Sequence, residues 1–304
     1  MAALPPMPSR VSEELAVAFA TIVGLEVVYS VAMLILVSIG LAIVFGMMRV
    51  INLAHGEFMV MGGYAATLAV HHGVNFWIAI IVVPPVVVGA LGVVIERTII
   101  RFLYGRMFET MLATWGLSLF LVGLMTVVFG DDTEGVPMSI PGLHIGPYQE
   151  SGYNLFVIGF SILLIGVVYA FLRYTRLGLL ARATMQNAAM AGALGTNTSG
   201  VYAATFALGA ALAGLAGGII APIAGVVPTT GGSYIGQAFI TVLGGGASAL
   251  AGVISASILF GVVDQATSFA TNAVFGEVAL LLAAIVLIRL LPNGITGRFF
   301  RGSL

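Results

Sequence analysis

Residues 40–58 read GLAIVFGMMRVINLAHGEF, an apolar run that ends in a cluster of polar side chains. The run continues an apolar stretch at 22–47, which exceeds the roughly 20 residues that a helix needs to cross a membrane. Ionisable groups at membrane depth are costly, so they usually face a cavity or a partner. The stretch therefore predicts a membrane-spanning helix followed by a polar site. Its polar members are Arg49, Asn52, His55 and Glu57.

The composition of the whole chain indicates a membrane protein. Of its 304 residues 60% are hydrophobic and 8% charged, whereas a soluble domain carries about 25% charged residues. This excludes a soluble enzyme, a nucleic-acid-binding protein and a disordered chain. All eleven basic residues are Arg, the net charge is -1, and the absence of Cys removes disulfides and thiolate metal sites. We expect an all-α polytopic membrane protein, whose 40 glycines let helices approach closely.

The apolar stretches divide the chain into eight to nine membrane segments within a single transmembrane domain, 1–304. Two of them, 57–70 and 236–245, are short and edged by Gly. The N-terminal segment 1–20 lacks the features of a cleaved signal peptide, so we expect it to be retained, with the stretch from Val11 at the membrane interface. The long stretches are 22–47, 76–96, 110–130, 153–172, 200–223, 247–265 and 274–291.

The charges between these stretches predict their orientation. Arg collects in 97–106, in 173–182 and at the C-terminal end, whereas the connection 131–152 holds four acids and no Arg. Because cytoplasmic loops carry an excess of basic residues, we expect 131–152 to be an external loop and 173–199 and the tail 292–304 to be cytoplasmic. The span 200–223 must then run outward and the span 274–291 inward, so an even number of crossings lies between them. The segments 236–245 and 247–265 therefore both cross, and the short segment 236–245 is a half-helix that turns at 244–246.

The side of the N-terminus stays open at this point. If Arg49 is cytoplasmic, 57–70 crosses the membrane and the N-terminus is outside; if 57–70 is re-entrant, the N-terminus is inside. The first alternative is favoured because it gives two halves with the same order of long and short segments and opposite orientation, an inverted repeat. The first repeat is 22–130, 153–172 is a linking span, and the second repeat is 200–291.

The polar cluster after the first span supplies the candidate solute path. Asn52 offers donors and an acceptor, His55 can donate or accept, and Glu57 accepts when ionised. A purely structural interpretation is equally open: Asn52 caps the next helix, Glu57 favours its positive end, and Arg49 snorkels. No His-Glu-x-x-His motif and no Walker lysine occur, so we expect no catalytic residues, no metal site and no ATP hydrolysis in this chain.

The stretch 173–199 is a candidate docking loop for a partner protein. It is rich in Ala and Gly and less charged than a solvated loop usually is, and a short helix of this kind fits a groove. The alternative is a solvated loop in which Asn197 or Ser199 caps the next span. The candidate contact residues are Arg182, Asn187, Ala191, Gly195 and Asn197.

Several motifs resemble the permease subunits of branched-chain amino acid ATP-driven importers over about 20–300. The stretch 40–58 resembles the family signature and 182–197 its cytoplasmic coupling loop. The segment 242–252 is similar to its late Gly-rich segment, although Ala251 stands where the family often has Pro, and 291–298 to its C-terminal signature.

This resemblance implies partners and a location. They are a second homologous permease, two ATP-binding subunits that carry ATP and Mg, and a periplasmic or surface solute-binding protein, in a bacterial-type inner membrane with a cytoplasmic C-terminus. The family takes up Leu, Ile and Val, other amino acids, urea or short amides. Met48-Arg49-Val50 is more like the amino-acid type and 186–191 more like the urea type, so an aliphatic amino acid comes first and urea or an amide second.

Two other classes compete with an importer subunit. An ion-coupled secondary transporter fits the repeat, but it usually needs an ion site of carboxylates or unwound carbonyls near the midplane, and Glu57 is its main candidate. An intramembrane enzyme is disfavoured because no paired acid and base or nucleophile and base is found.

Overall fold

The computed structural model describes residues 9–138, 140–246 and 248–299, and they are almost entirely helical. A short hairpin pairs β1 (Leu143–Ile145) with β2 (Tyr148–Glu150), and 3-10 turns lie at Ile100–Leu103 and Pro228–Thr230. The helices are α1 (Ser9–Met48), α2 (His55–His71), α3 (Phe76–Ile81), α4 (Val83–Thr98), α5 (Met107–Phe129), α6 (Gly152–Tyr174), α7 (Arg176–Gln186), α8 (Ala188–Ala193), α9 (Thr198–Ala224), α10 (Gly231–Gly245), α11 (Ala249–Ala270), α12 (Ala273–Leu290) and α13 (Gly294–Phe299).

Within the described residues, seven segments are long and apolar enough to cross a membrane. They coincide with the seven long stretches of the sequence, which confirms an all-α polytopic membrane protein. One of them, Phe76–Thr98, is interrupted at Val82 between α3 and α4. Pro84 and Pro85 follow that break, and each lacks the N–H that would continue the helical hydrogen bonds.

The first helix is longer than the sequence predicts. The stretch from Val11 was expected to lie at the membrane interface, apart from the first span, but α1 runs without a break from Ser9 to Met48. The physical reason is local: between Pro8 and Gly24 the chain has no Pro and no Gly, so no residue there breaks the helix. Residues 1–8 of the expected N-terminal segment, and 300–304 of the tail, lie outside the described residues.

The two short helices begin deep in the molecule. The His55 ring Nε2 lies 3.0 Å from the Val37 carbonyl of α1, and Val37 precedes Met48 by eleven residues, a rise of about 16 Å. The stretch 49–54 therefore turns back along α1 before α2 begins. The helix α10 begins at Gly231, directly against Gly56 of α2. It is longer than the predicted 236–245, because Gly231 and Gly232 join its first turn.

Glycine sets how closely the central helices approach. A Cβ added to Gly217 of α9 would lie 1.8 Å from the Met59 carbonyl oxygen of α2, and one on Gly62 would lie 2.2 Å from the Gly214 carbonyl oxygen. Gly40 of α1 and Gly209 of α9 meet in the same way. The small-residue run 209–218 thus packs backbone against backbone, as its spacing predicts.

The packing partners of the two halves correspond. The helix α4 packs on α9, as α11 packs on α1, and α2 packs on α9, as α10 packs on α1. The pairs α1 with α9 and α2 with α10 also contact each other. The span α6 lies outside this group and is tied to it by two hydrogen bonds, from the Ser161 hydroxyl to the Ala32 carbonyl at 3.2 Å and from the Tyr153 hydroxyl to the Ile219 carbonyl at 2.8 Å.

The hairpin lies at the same end of the molecule as the start of α1. The Phe19 ring lies 6.1 Å from that of Tyr148 and 6.5 Å from that of Phe269 at the end of α11. If 131–152 is external, the start of α1 is therefore external as well, which is the favoured alternative of the sequence analysis.

The residues after α12 are built into the fold. The Thr296 hydroxyl donates to the Gly245 carbonyl at 2.6 Å and accepts from the Ser248 N–H at 3.2 Å. Gly246, at φ +87°, makes the sharp turn between α10 and α11, and it contacts Gly294. The helix α13 therefore closes the turn at 244–246 that the sequence predicts.

The arrangement of the ends can be checked by cysteine labelling, since the chain has no Cys of its own. Ala20→Cys and Gln149→Cys, both exposed, should react with an impermeant maleimide from one side of the membrane. The exposed Ala193 at the other end, as Ala193→Cys, should react only from the opposite side. Labelling of Ala20→Cys and Ala193→Cys from the same side would contradict this fold.

The glycine packing predicts a selective loss of stability. Gly217→Ala should lower the free energy of unfolding by about 2 kcal/mol or more, because the added methyl meets the Met59 carbonyl and forces α2 and α9 apart. Gly166→Ala is the matched control, since a Cβ on Gly166 in α6 meets nothing within 4 Å. Thermal unfolding in detergent measures both, and equal stability of the two variants would refute close packing.

Candidate functional site

The three predicted solute-path residues come together at the start of α2. Asn52, His55 and Glu57 are 1%, 1% and 2% exposed, and they lie where α2 contacts α1, α9 and α10. The cluster is therefore interior to this chain and closed to solvent in this conformation.

Asn52 shapes the turn that leads into α2. Its side-chain oxygen accepts from the Ala54 N–H at 3.1 Å, and its carbonyl accepts from the His55 N–H at 3.3 Å. Ala54 holds the N-cap position and no side chain caps α2. Asn52 thus bonds the backbone at the entry to α2 from two residues before the N-cap Ala54, instead of capping the helix as the structural interpretation of the sequence expected.

His55 joins α2 to α1. Because the Val37 carbonyl 3.0 Å away can only accept, His55 Nε2 carries the hydrogen and the ring is a donor at that position. Gly40 makes room for the ring, since a Cβ there would lie 3.1 Å from His55 Cε1. His55 therefore fixes the depth at which α2 begins.

Glu57 faces the first turn of α10. A Cβ on Gly231 would lie 2.8 Å from Glu57 Oε1, so the carboxylate lies against the α10 backbone. Glu57 Oε2 is buried without a hydrogen-bond partner. A buried oxygen with unused acceptor capacity is uncommon.

Thr114 of α5 is a site residue that the sequence analysis missed. Its buried hydroxyl accepts from the Leu53 N–H at 3.1 Å and lies 3.1 Å from the Ile51 carbonyl, to which it can donate. It thereby holds both flanks of Asn52. The signal for this role is a buried Thr on a helix that otherwise faces lipid. The Leu53 and Ile51 backbone groups that it bonds are more than 60 residues away in sequence.

Arg49 lies apart from the cluster. It is exposed, its backbone is left-handed at φ +52°, and its N–H donates to the Phe45 carbonyl at 2.9 Å. Arg49 therefore terminates α1 at the molecular surface, which agrees with snorkelling and not with a place in the interior site.

A small, partly open apolar recess adjoins the cluster. It lies between α2, the end of α9 and the start of α10, and Met59, Val60, Val226 and Tyr234 are among its lining residues. Among the described residues, no group of three or more His, Cys, Asp or Glu side chains is placed to hold a metal ion.

The candidate docking loop folds into two short helices whose polar side chains bond within the chain. Asn187 caps α8 by accepting from the Met190 N–H at 2.9 Å, and Asn197 caps α9 by accepting from the Gly200 N–H at 3.0 Å. Arg182 donates to the Leu172 carbonyl. Arg182 and Asn187, two of the candidate contact residues, thus each make a side-chain hydrogen bond within the chain.

Apolar side chains of the loop are exposed beside polar ones. Leu194 is 79% and Met190 58% exposed, whereas Ala191 is buried. Gly195 is exposed at φ +87° with open space around its Cα. An apolar patch therefore lies on α8 and its C-terminal end.

Comparison with known proteins gives one consistent result. Residues 24–291 match the family described as branched-chain amino acid transport system / permease component. The chain is 26% identical over 281 residues to the high-affinity branched-chain amino acid transport system permease protein LivH of Escherichia coli K12, covering 86% of this chain and 91% of that protein.

Two further relatives have similar names. The permease protein BraD of Pseudomonas aeruginosa is 29% identical, with 86% of this chain and 91% of BraD covered. A probable branched-chain amino acid transport permease protein LivH of Methanocaldococcus jannaschii is 28% identical, with 89% and 90% covered. No solved structure matches.

The role of Thr114 can be measured directly. Thr114→Val should lower the free energy of unfolding by about 2 kcal/mol, because the buried Leu53 N–H loses its acceptor, while Thr114→Ser should retain most of the stability. Thr126→Val is the control, since Thr126 lies exposed on the same helix and bonds only within its own turn. Equal unfolding temperatures for Thr114→Val and Thr126→Val would show that the tether is unimportant.

Proposed function

The chain belongs to the family of branched-chain amino acid transport system permease components, and from that premise we propose that it forms one half of the solute path of an ATP-driven importer. It is a transport permease and not an enzyme. Its partners are a second homologous permease, two ATP-binding subunits that carry ATP and Mg, and an external solute-binding protein. The single observation that carries the proposal is the family match across 24–291.

The permease is built as an inverted repeat of eight to nine segments. The seven spans together with α2 and α10 supply nine segments, and the corresponding packing partners of the halves 22–130 and 200–291 support the repeat. Each half contains a long helix, a re-entrant stretch and a short helix that starts inside the protein, as in many transporters with a central site.

The solute is an aliphatic amino acid. The names of the relatives support this, and so does the site, where buried polar groups lie beside an apolar recess lined by Met59, Val60 and Val226. Asn52, His55 and Glu57 border the path, which opens when α2 and α10 move apart. The same fold in a urea or amide importer would need less apolar surface at this point.

The end of the molecule that carries α7 and α8 is cytoplasmic, in a bacterial-type inner membrane. The positive-inside rule supports this orientation, because the exposed Arg side chains lie at that end and the acids of 131–152 at the other. The C-terminus is then cytoplasmic. The exposed residues are Arg49, Arg97, Arg101, Arg106, Arg173, Arg176 and Arg289.

The loop 173–199 transmits movement of the ATP-binding subunits. Asn197 joins it to the first turn of α9 without slack, and α9 contacts α1, α2 and α4. Its apolar surface at Met190 and Leu194 is suited to a groove of the ATP-binding subunit. Gly195 completes this surface, and Arg182, Asn187 and Ala191 hold its shape from within.

Uptake by the reconstituted importer tests the proposed function. Proteoliposomes with all subunits and ATP should take up leucine, and Glu57→Gln should assemble normally yet import at least about tenfold more slowly, since it removes a charge from the path. Urea uptake without leucine uptake would favour the urea importer. Uptake driven by a sodium or proton gradient through this chain alone would favour the secondary transporter.

Coupling is tested by a substitution at Leu194 and not at the neighbouring Gly195. Gly195 has φ +87°, so Gly195→Glu would add backbone strain as well as charge. Leu194→Glu should abolish solute-stimulated ATP hydrolysis, since a buried unpaired charge opposes the contact with several kcal/mol. Leu143→Glu is the matched control, an exposed Leu in the hairpin at the other end. Normal stimulation in Leu194→Glu with the ATP-binding subunits still attached would show that the loop does not couple.

A further inference from the structure

The amino-terminal ends of α2 and α10 meet inside the protein. Gly56 and Gly231 are in backbone contact, since a Cβ on Gly56 would lie 1.9 Å from the Gly231 carbonyl oxygen. The two helices have 17 and 15 residues, and both begin next to this contact. We call the space bounded by Gly56, Glu57 and Gly231 the helix junction.

Both helix ends carry donors that the helices themselves cannot use, although at α2 the first of them, the His55 N–H, bonds to the Asn52 carbonyl. The first N–H groups of any helix lack intrahelical partners, and together they equal about half a positive charge. Here the N-cap residues are Ala54 and Thr230, and neither side chain caps its helix. Two positive helix ends therefore converge on the helix junction.

Glu57 is the group that occupies the junction. A Cβ on Gly231 would lie 2.8 Å from Glu57 Oε1 and 3.0 Å from the Glu57 backbone nitrogen, so the carboxylate lies between the first turns of α2 and α10. The side chain is 2% exposed, and Oε2 has no hydrogen-bond partner. Within the described part of the chain the one ion pair joins Arg106 to Glu109, so no Arg there pairs with this carboxylate.

We propose that the helix junction is a binding site for the carboxylate of the transported amino acid, and that Glu57 is an internal carboxylate which occupies this site until the solute displaces it. The proposal rests on the function proposed above. When α2 and α10 separate, the same unused N–H groups receive the solute carboxylate, and its aliphatic side chain enters the recess lined by Met59 and Val226.

An internal competitor explains how the site can be selective and still release its solute. Two converging helix ends without a competitor would hold a carboxylate tightly, and a transporter that binds too tightly turns over slowly. Because Glu57 is covalently attached, it returns to the junction as soon as the solute has moved on. The larger the fraction of time for which Glu57 occupies the helix junction, the more weakly the carboxylate of the solute binds there.

Equilibrium binding to the complex of permeases and ATP-binding subunits, without solute-binding protein or nucleotide, tests this. Radiolabelled leucine and leucinamide, in which an amide replaces the carboxylate, are compared for wild type, Glu57→Gln and Glu96→Gln. Glu57→Gln should bind leucine at least about tenfold more tightly, a difference of 1.4 kcal/mol, with no change for leucinamide. Unchanged leucine binding, or equal gains for both ligands, would overturn the proposal.

Glu96→Gln is the matched control, because Glu96 is also a buried glutamate, 1% exposed, but lies in α4 and accepts a hydrogen bond from Tyr104. Burial and this hydrogen bond raise the pKa of Tyr104, so Tyr104 remains a donor. Glu96→Gln should bind leucine as wild type does. A gain equal to that of Glu57→Gln would overturn the proposal.

A second variant keeps the test decisive if Glu57→Gln does not assemble. Glu57→Asp retains the charge but withdraws it from Gly231 by one methylene, so leucine binding should tighten by a smaller factor and leucinamide binding should stay the same. Absence of a leucine-specific gain in the assembled Glu57→Asp complex would count against the proposal. The proposed function has its own criterion: it fails if wild type does not import leucine, whatever the variants bind.

Discussion

Every feature of this protein depends on one constraint: backbone polar groups inside a membrane must be bonded or enclosed by protein. The stretches 49–54 and 225–230 are not α-helical, yet they lie between membrane helices. The first is enclosed by α1, α2 and α5 and bonded by Asn52 and Thr114. The second bonds through Val226 to Glu134 at the hairpin end, with N···O distances of 2.7 and 3.0 Å. Such enclosure requires helices that approach more closely than side chains normally allow.

Glycine meets that requirement and also locates the site. The contacts of Gly40 with Gly209, of Gly62 with Gly214 and of Gly56 with Gly231 bring backbones together along the centre of the molecule. The last of these contacts places two helix beginnings against each other and Glu57 between them. The packing that stabilises the fold and the surroundings of Glu57 therefore depend on the same positions, and in the proposed mechanism a path opens there when α2 separates from α10.

The loop 173–199 shows how polar side chains can hold the shape of a surface. Arg182, Asn187 and Asn197 are used for a tether and two helix caps, and Leu194 and Met190 are exposed beside them. Asn197 fixes the loop to α9, the helix that contacts α1, α2 and α4. In the proposed function this connection carries displacement of α8 to the helices around the junction.

The sequence by itself determined the class of the protein, its seven long spans, the run of small residues that packs α9, and the polar cluster at Asn52, His55 and Glu57. These follow from composition and local hydrophobic pattern, because transfer of a segment into lipid depends on that segment alone. Only the tertiary structure decided that α2 and α10 begin against each other, that Thr114 holds the re-entrant stretch, and that Arg182 and Asn187 bond within their own loop. Each of these depends on which surfaces of distant segments meet, and that is set by packing between helices, which no local pattern encodes.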